Sequence, residues 1–209
     1  AAIGVTQITI VAAFACAVNS SYQFFGSWNE LFGNVDTAPV GVTQAMGGGG
    51  DAVTGISDVH GALVQPFHDS QLNQVSGLPD GPPAVTGRVE SVKIIGRRTG
   101  VVDPAFVYLP PQYFQPAYHR MRFPVIVALS GYPGSIFNLA QHLRVSQTAG
   151  ELQKSGRMQP TVVVMIRPTI APPRDTECVN VPGGPQTETF LARDLPEALK
   201  SAYRVGHDA

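Results

Sequence analysis

The fold is decided by one stretch of the sequence, Phe123-Pro124-Val125-Ile126-Val127-Ala128-Leu129-Ser130-Gly131-Tyr132-Pro133-Gly134. Its apolar run is short, continuous and bounded by turn-forming residues, which favours a strand buried on both faces of a parallel sheet. Small residues follow, and the apolar spacing over residues 135–143 predicts a helix. Strand, turn and helix form the half-unit of an α/β fold, whose ligands bind beyond the carboxyl ends of the strands. Function is therefore expected around Gly131 and Tyr132.

Two more strand patterns precede this unit and one follows it. Apolar residues between 89 and 95, a turn at 97–100 and a second run over 101–109 predict a β-hairpin. A continuous apolar run at 161–166 predicts another buried parallel strand. The core of the domain is therefore expected to be a sheet built from these four strands.

A last helix is predicted from apolar positions spaced along one face between residues 190 and 202. Pro196 lies inside this pattern, and proline does not fit a helix interior. Either the helix kinks there, or a new helix begins with Asp194 as its N-cap.

Composition excludes several classes of function. The 209 residues carry a net charge of −1, which predicts neither a nucleic-acid surface nor a polybasic membrane surface. Cys16 and Cys178 are too few for a disulfide framework, and neither has the spacing of metal ligands. The four glycines at 47–50 are not followed by Gly-Lys-Ser/Thr, and there is no dinucleotide fingerprint. No cofactor is predicted.

The first 18 residues carry no charge. A membrane-spanning helix takes about 20 apolar residues, and this segment lacks the basic start and cleavage pattern of an intact signal peptide. We interpret it as the end of a transmembrane helix; a buried core helix, or a strand followed by a helix, is the alternative. Tyr22, Phe24 and Phe25 would then form an interfacial aromatic belt, and a short amphipathic helix is predicted to complete region 1–33.

Residues 34–86 have no sustained periodicity and are rich in glycine and proline, which indicates a linker or an extended wrapping arm. Two histidines and two aspartates there could be drawn as a metal cluster, but polar loop residues are the ordinary explanation, and no metal site is predicted; they are Asp58, His60, His68 and Asp69. At Gly87 the composition changes, and a compact domain is predicted over 87–209.

Four segments carry a resemblance to a known family. They are Val107-Tyr108-Leu109-Pro110, Val127-Ala128-Leu129-Ser130-Gly131-Tyr132, Val162-Val163-Val164-Met165 and, most specifically, Gln186-Thr187-Glu188-Thr189-Phe190-Leu191 with Asp194-Leu195-Pro196. Through them the chain resembles the esterase D and antigen 85 branch of the α/β-hydrolases, which contains actinobacterial secreted esterases and mycolyltransferases. The apolar start is similar to actinobacterial members with helices ahead of the esterase domain. The resemblance implies a partial α/β-hydrolase fold, with helices flanking a parallel sheet and a hairpin at its start.

The family's nucleophile is a serine in a Gly-x-Ser-x-Gly elbow, followed later by an acid and a histidine. That motif does not occur in these 209 residues, and the family's elbow would come directly after residue 209. The chain is therefore expected to be the N-terminal portion of an esterase, without its triad. Ser130 is a poor substitute because Ala128 and Tyr132 occupy the two glycine positions of an elbow.

The resemblance implies that the backbone N–H of Tyr132, on the turn with Gly131, stabilises the oxyanion of the reaction. Pro133 has no N–H to donate. The alternative is an ordinary turn that needs Gly131 for its backbone angles. Ser130 stands where the mycolyltransferases have an aspartate that contacts the sugar acceptor, so simple ester hydrolysis is the safer expectation. Ser130 and Arg167 are predicted to line the substrate pocket.

The sequence therefore predicts a serine esterase or acyltransferase that forms an acyl-enzyme on a nucleophile beyond the chain end. Its substrate would be a small-molecule or lipid ester, and its catalytic domain would be secreted or tethered outside a membrane by the N-terminal segment. The alternative is a non-catalytic α/β-hydrolase-like domain with a binding or structural role. A sheet that ends before the nucleophile strand is also expected to expose an apolar edge.

Overall fold

A computed structural model of the protein describes residues 2–22, 62–68, 72–132, 134–171 and 174–206. The predicted aromatic belt beyond Tyr22, the amphipathic helix, most of the linker and three of the four residues considered as metal ligands lie outside the described residues. Pro133 lies outside them as well.

The N-terminal segment forms one helix, α1 (Ala2–Tyr22). The stretch Ile3–Ser21 has a mean hydropathy of 1.6, and none of it is buried. At about 1.5 Å per residue, α1 is about 31 Å long, close to the thickness of a bilayer's hydrocarbon core. The two alternatives to a membrane helix are therefore wrong, since α1 is neither a core helix nor a strand followed by a helix. By length and composition α1 can serve as a membrane anchor or a signal peptide.

The remaining described residues form an α/β domain around a mixed five-stranded sheet. Its strands are β1 (Val64–Pro66), β2 (Arg88–Ile95), β3 (Val102–Leu109), β4 (Val125–Leu129) and β5 (Val162–Ile166). Their spatial order is β1-β2-β3-β5-β4. All neighbouring pairs are antiparallel except β4 and β5, which are parallel.

The predicted hairpin is confirmed. Strands β2 and β3 pair from Arg88 opposite Leu109 to Ile95 opposite Val102. The sequence missed β1, which lies within the predicted linker or arm and pairs with the outer side of β2. Three residues are too few to show a strand period, and Pro66 suits only the edge of a sheet.

The parallel pairing of the other two predicted strands is confirmed, but their burial differs. Every residue of β5 is buried, whereas Ile126, Val127 and Leu129 of β4 are 47%, 40% and 41% exposed. The expectation that both faces of this run are buried is therefore wrong for β4. The reason is position: within the described part of the chain, β4 has a strand neighbour along its length on one side only. The expected apolar edge is present.

Helices cover both faces of the sheet. They are α2 (Pro83–Thr86), α3 (Ile136–Gln141), α4 (Val145–Lys154), α5 (Thr187–Thr189) and α6 (Leu195–Ala202), with short 3₁₀ turns at Leu72–Gln74, Pro111–Phe114 and Pro116–Tyr118. On one face α6 packs Leu195 and Leu199 into a cluster with Val92. On the other, α3 packs Ile136 against Phe106. This three-layer arrangement is typical of α/β proteins.

A π-helical turn, Phe190–Asp194, joins α5 to α6 and puts Pro196 in the first turn of α6. Proline is tolerated there because the first N–H groups of a helix have no partner within it. Asp194 itself has helical backbone angles and makes no cap hydrogen bond. Of the two predicted alternatives, a new helix does begin after Asp194, but the Asp194 side chain does not cap it. Its carboxylate instead accepts hydrogen bonds from Arg98 and Thr99 in the hairpin turn.

Candidate active site

The turn that follows β4, residues 130–134, lies at the carboxyl end of the parallel pair. The N–H of Ser130 donates to the carbonyl of Ile166, at the end of β5, over 3.2 Å. Across the turn, Ser130 Oγ donates to the carbonyl of Gly134 over 3.1 Å. The N–H of Gly134 donates to the carbonyl of Gly131 over 2.6 Å. These three bonds fix the turn to the sheet and close it on itself.

The glycine that the turn needs is Gly134. A Cβ at Gly134 would lie 2.7 Å from the carbonyl oxygen of Gly131, too close for any other residue. At Gly131 an added Cβ would meet nothing within 4 Å, and its φ lies outside the left-handed region. The alternative that the turn requires Gly131 for its backbone angles is therefore wrong.

Three of the predicted site residues share this turn but face different surroundings. Ser130 is buried, with 6% of its surface exposed, whereas the neighbouring Tyr132 is 36% exposed. Gly131 is also exposed. In this turn Gly131 and Tyr132 are therefore exposed residues, whereas Ser130 is buried.

Within the described residues the Ser130 hydroxyl donates to the carbonyl of Gly134 and to no histidine. The ring nitrogen Nδ1 of His119 is 2.7 Å from the carbonyl of Pro116, and the ring of His142 packs edge-on against Phe137. A serine nucleophile needs a base within hydrogen-bond reach. That Ser130 is not the nucleophile stays a prediction, and His207 lies outside the described residues.

Arg167, the fourth predicted site residue, directly follows β5. Its Nη2 lies 2.7 Å from Oδ1 of Asp103, in β3 next to its first residue. Both side chains are largely buried, so the pair ties the end of β5 to the start of β3. A buried ion pair of this kind is costly to break from one side. Asp103 gave no signal in the sequence because its partner is brought close only by the antiparallel pairing of β3 with β5.

A cluster of buried threonines connects parts of the loop after β5. The sequence analysis did not predict it. The hydroxyl of Thr187 donates to that of Thr176 over 2.8 Å, and Thr176 donates to Thr169 over 3.2 Å. Because each hydroxyl is paired, burial costs little. Thr169 and Thr176 are 7 positions apart in the sequence, and Thr176 and Thr187 are 11 apart. This spacing does not predict that their hydroxyls meet.

After α6 the chain returns to the open side of β4. Phe123 and Val205 form a parallel bridge, in which the N–H of Phe123 donates to the carbonyl of Arg204 and the N–H of Gly206 donates to that of Phe123. The next carbonyl, that of Pro124, accepts from β5. Alternate residues of a strand face alternate neighbours, so the bridge lies on the side of β4 opposite β5.

Comparison with solved structures gives the fold. A ferulic acid esterase superposes with a TM-score of 0.50 at 22% identity, over 58% of this chain and 45% of that one. The CE1 ferulic acid esterase AmCE1/Fae1A of Anaeromyces mucronatus gives a TM-score of 0.40 at 15% identity, over 63% of this chain and 50% of its own. The chain thus spans about half the length of these proteins.

Sequence comparison gives the family. No curated protein matches the chain. The model of the Esterase family matches residues 96–209, which is more than half of the 209 residues. The predicted esterase family is thereby confirmed, while the finer branch, esterase D and antigen 85, is not. By this match the chain belongs to the Esterase family.

Proposed function

We propose that the complete protein is a serine esterase or acyltransferase that forms an acyl-enzyme, with its nucleophile beyond residue 209. Membership of the Esterase family supports cleavage of carboxylic esters. The branch that the chain resembles contains both esterases, which transfer the acyl group to water, and mycolyltransferases, which transfer it to an alcohol. Both acceptors are therefore possible. Simple hydrolysis is the reaction we expect, because Ser130 replaces the residue that contacts the sugar in the mycolyltransferases.

The observation that carries this proposal is the bridge between Phe123 and Val205. A strand continued from Val205 in the same parallel register would reach the level of Leu129 about six residues later. A turn at its end would then stand beside residues 130–134. This is the layout of an α/β-hydrolase, in which the nucleophile elbow and the loop after an adjacent strand together build the oxyanion hole.

In this layout the chain's own contribution is the turn at residues 130–134. Attack on an ester places negative charge on the carbonyl oxygen, and a preorganised N–H that meets this charge is worth about 3 kcal/mol. We assign this role to the main-chain N–H of Tyr132, next to Gly131, because both residues are exposed and the turn follows the carboxyl end of β4. We also propose that Arg167 lines the border of the substrate pocket.

The helix α1 supports a second part of the proposal, namely that the domain is tethered at a membrane; the outward orientation is proposed from the resemblance to secreted esterases. Its length and lack of charge suit an anchor. An esterase held at a membrane has access to lipid esters as well as to soluble ones, and both are proposed as substrates.

The proposal is tested by labelling the complete protein with a serine-directed fluorophosphonate. One serine is expected to react, within a Gly-x-Ser-x-Gly motif about ten residues or fewer beyond position 209. Its replacement by alanine should abolish both labelling and the hydrolysis of p-nitrophenyl acetate. A folded protein that neither labels nor hydrolyses would instead favour a non-catalytic binding domain.

The role of Tyr132 is tested by a matched pair of variants in the same protein. Tyr132→Pro removes the N–H and is expected to lower kcat about 100-fold or more, whereas Tyr132→Ala keeps the N–H and should retain most of kcat. Circular dichroism shows whether both variants keep the fold. Equal losses in both would rule out an oxyanion role for the amide.

A further inference from the structure

Building on the proposed esterase function, we infer that Ser130 is a positioning residue. Its hydroxyl sets the shape of the turn that presents the Tyr132 amide, and it does not bind the substrate. This inference replaces the sequence-based expectation that Ser130 lines the pocket.

Burial and bonding of Ser130 carry the inference. The residue is 6% exposed, and both of its hydrogen-bond donors are used inside the protein. The N–H holds the turn to β5 through Ile166, and the hydroxyl holds the far side of the turn through the carbonyl of Gly134. One residue therefore determines both where the turn sits on the sheet and how tightly it closes.

Tyr132 lies between these two attachment points. Two hydrogen bonds close the turn around it. The hydroxyl of Ser130 donates to the carbonyl of Gly134, and the N–H of Gly134 donates to the carbonyl of Gly131. Loss of the first leaves the carbonyl of Gly134 without that donor and lets the turn widen. Since a displacement of about 1 Å at a reacting group can cost up to about 100-fold in rate, widening is expected to act on kcat.

The chain offers a matched control in Ser135. It lies in the same loop and is buried to the same degree, at 7% exposed. Its hydroxyl makes no hydrogen bond within the part of the chain that the structure describes. Ser135→Ala therefore removes the same atom from the same loop without removing a bond.

The experiment measures ester hydrolysis by the complete protein and its Ser130→Ala, Ser130→Thr and Ser135→Ala variants. A series of esters with one acyl group and different alcohols separates positioning from contact. We expect Ser130→Ala to lower kcat about 10-fold for every ester with KM unchanged, Ser130→Thr to recover part of kcat, and Ser135→Ala to match the wild type. A KM that rises with particular alcohols would show that Ser130 contacts the substrate and overturn the inference.

Amide hydrogen exchange tests the inference independently of activity. Exchange at the amides of Gly131, Tyr132 and Gly134 should become faster in Ser130→Ala and stay unchanged in Ser135→Ala. Equal exchange in the two variants would overturn the positioning role, even for an active enzyme. A wild-type protein that hydrolyses no ester would instead overturn the proposed function, while the exchange result still decides whether Ser130 orders the turn.

Discussion

Strands β4 and β5 consist entirely of apolar residues and lie side by side, yet they occupy different environments. Val127 and Val164 are direct partners in the parallel register. Val164 is fully buried, whereas Val127 is 40% exposed. An apolar run therefore indicates that a strand can be buried on both faces. How much of the strand is buried depends on whether other strands lie on both sides of it. The composition of β4 suits a strand with neighbours on both sides.

The largest effect is expected from placing a charge in each strand. Val164→Lys would bury an ammonium group among apolar side chains, at a cost of several kcal/mol, and should leave the 209-residue chain unfolded. Val127→Lys can extend its charge into solvent and should keep the fold. Because lysine also discourages pairing between exposed strand edges, it should reduce self-association. Circular dichroism and light scattering measure the two outcomes.

The Val127→Lys variant tests whether β4 is an edge strand in solution. If this variant unfolds like Val164→Lys, then β4 is not an edge in solution. If it folds but associates as much as the wild type, the exposed apolar side chains of β4 are not the contact surface.

The next effect compares the two turns that flank the sheet. The 130–134 turn is closed by a hydroxyl, whereas the hairpin turn at 97–99 is anchored by the buried carboxylate of Asp194. Its two oxygens accept from the N–H groups of Arg98 and Thr99 at 3.0 Å each. Asp194→Ala is expected to lower the free energy of unfolding by about 3 kcal/mol, because it removes the charged acceptor of both part-buried hydrogen bonds. Urea unfolding measures the loss, and Ser130→Ala should lose about 1 kcal/mol in comparison.

The anchor also predicts a pH dependence. Burial acts to raise the pKa of the Asp194 carboxyl, but hydrogen bonds from Thr99 and Arg98 outweigh it and hold the pKa below its ordinary value. A depressed pKa gives stability that is present above the pKa of the unfolded chain and is lost as the pH falls through the folded value. The difference between wild type and Asp194→Ala should therefore shrink in acid. A constant difference across the acid range would show that ionisation of Asp194 is not what stabilises the turn.

The smallest effect is expected at Glu90, a buried carboxyl whose pKa is raised, whereas that of Asp194 is lowered. Burial raises the pKa of Glu90, while its bond from Tyr203 and the charge of Arg88 oppose the rise. Glu90→Gln removes the buried charge and keeps an acceptor for the Tyr203 hydroxyl, so it should stabilise the domain by about 1 kcal/mol at neutral pH.

A raised pKa means that the contribution of Glu90 is full below the pKa of the unfolded chain and is lost as the pH rises through the folded value. The advantage of Glu90→Gln should therefore disappear as the pH falls below the pKa of an ordinary glutamate. Melting temperatures of both proteins across this range measure it. A variant less stable than wild type at pH 7 would show that the charged form of Glu90 is stabilising.

The sequence predicted the features that rest on local patterns. The hairpin, the two apolar strands and the last helix follow from the period of apolar residues and from turn chemistry. What it missed depends on distant partners: β1 exists as a strand because β2 is beside it, and Asp194 anchors a turn 95 residues away instead of capping its own helix.

The same distinction applies to the candidate site. The position of the turn at a strand end could be predicted because strand, turn and helix are consecutive in the sequence. The interior location of the Ser130 hydroxyl could not, since it depends on the backbone path that brings Gly134 back across the turn. The partner of Arg167 depends likewise on strand order.

Pro66 makes one edge of the sheet less able than the other to pair with an additional strand. As the last residue of the outermost strand, it has no N–H to offer a newcomer at that margin, and β1 is only three residues long. The opposite margin, along β4, presents five residues of backbone bordered by apolar side chains. Among the described residues, the margin along β4 is therefore the one that suits an added strand, from the same polypeptide or from another, and it carries the Tyr132 turn.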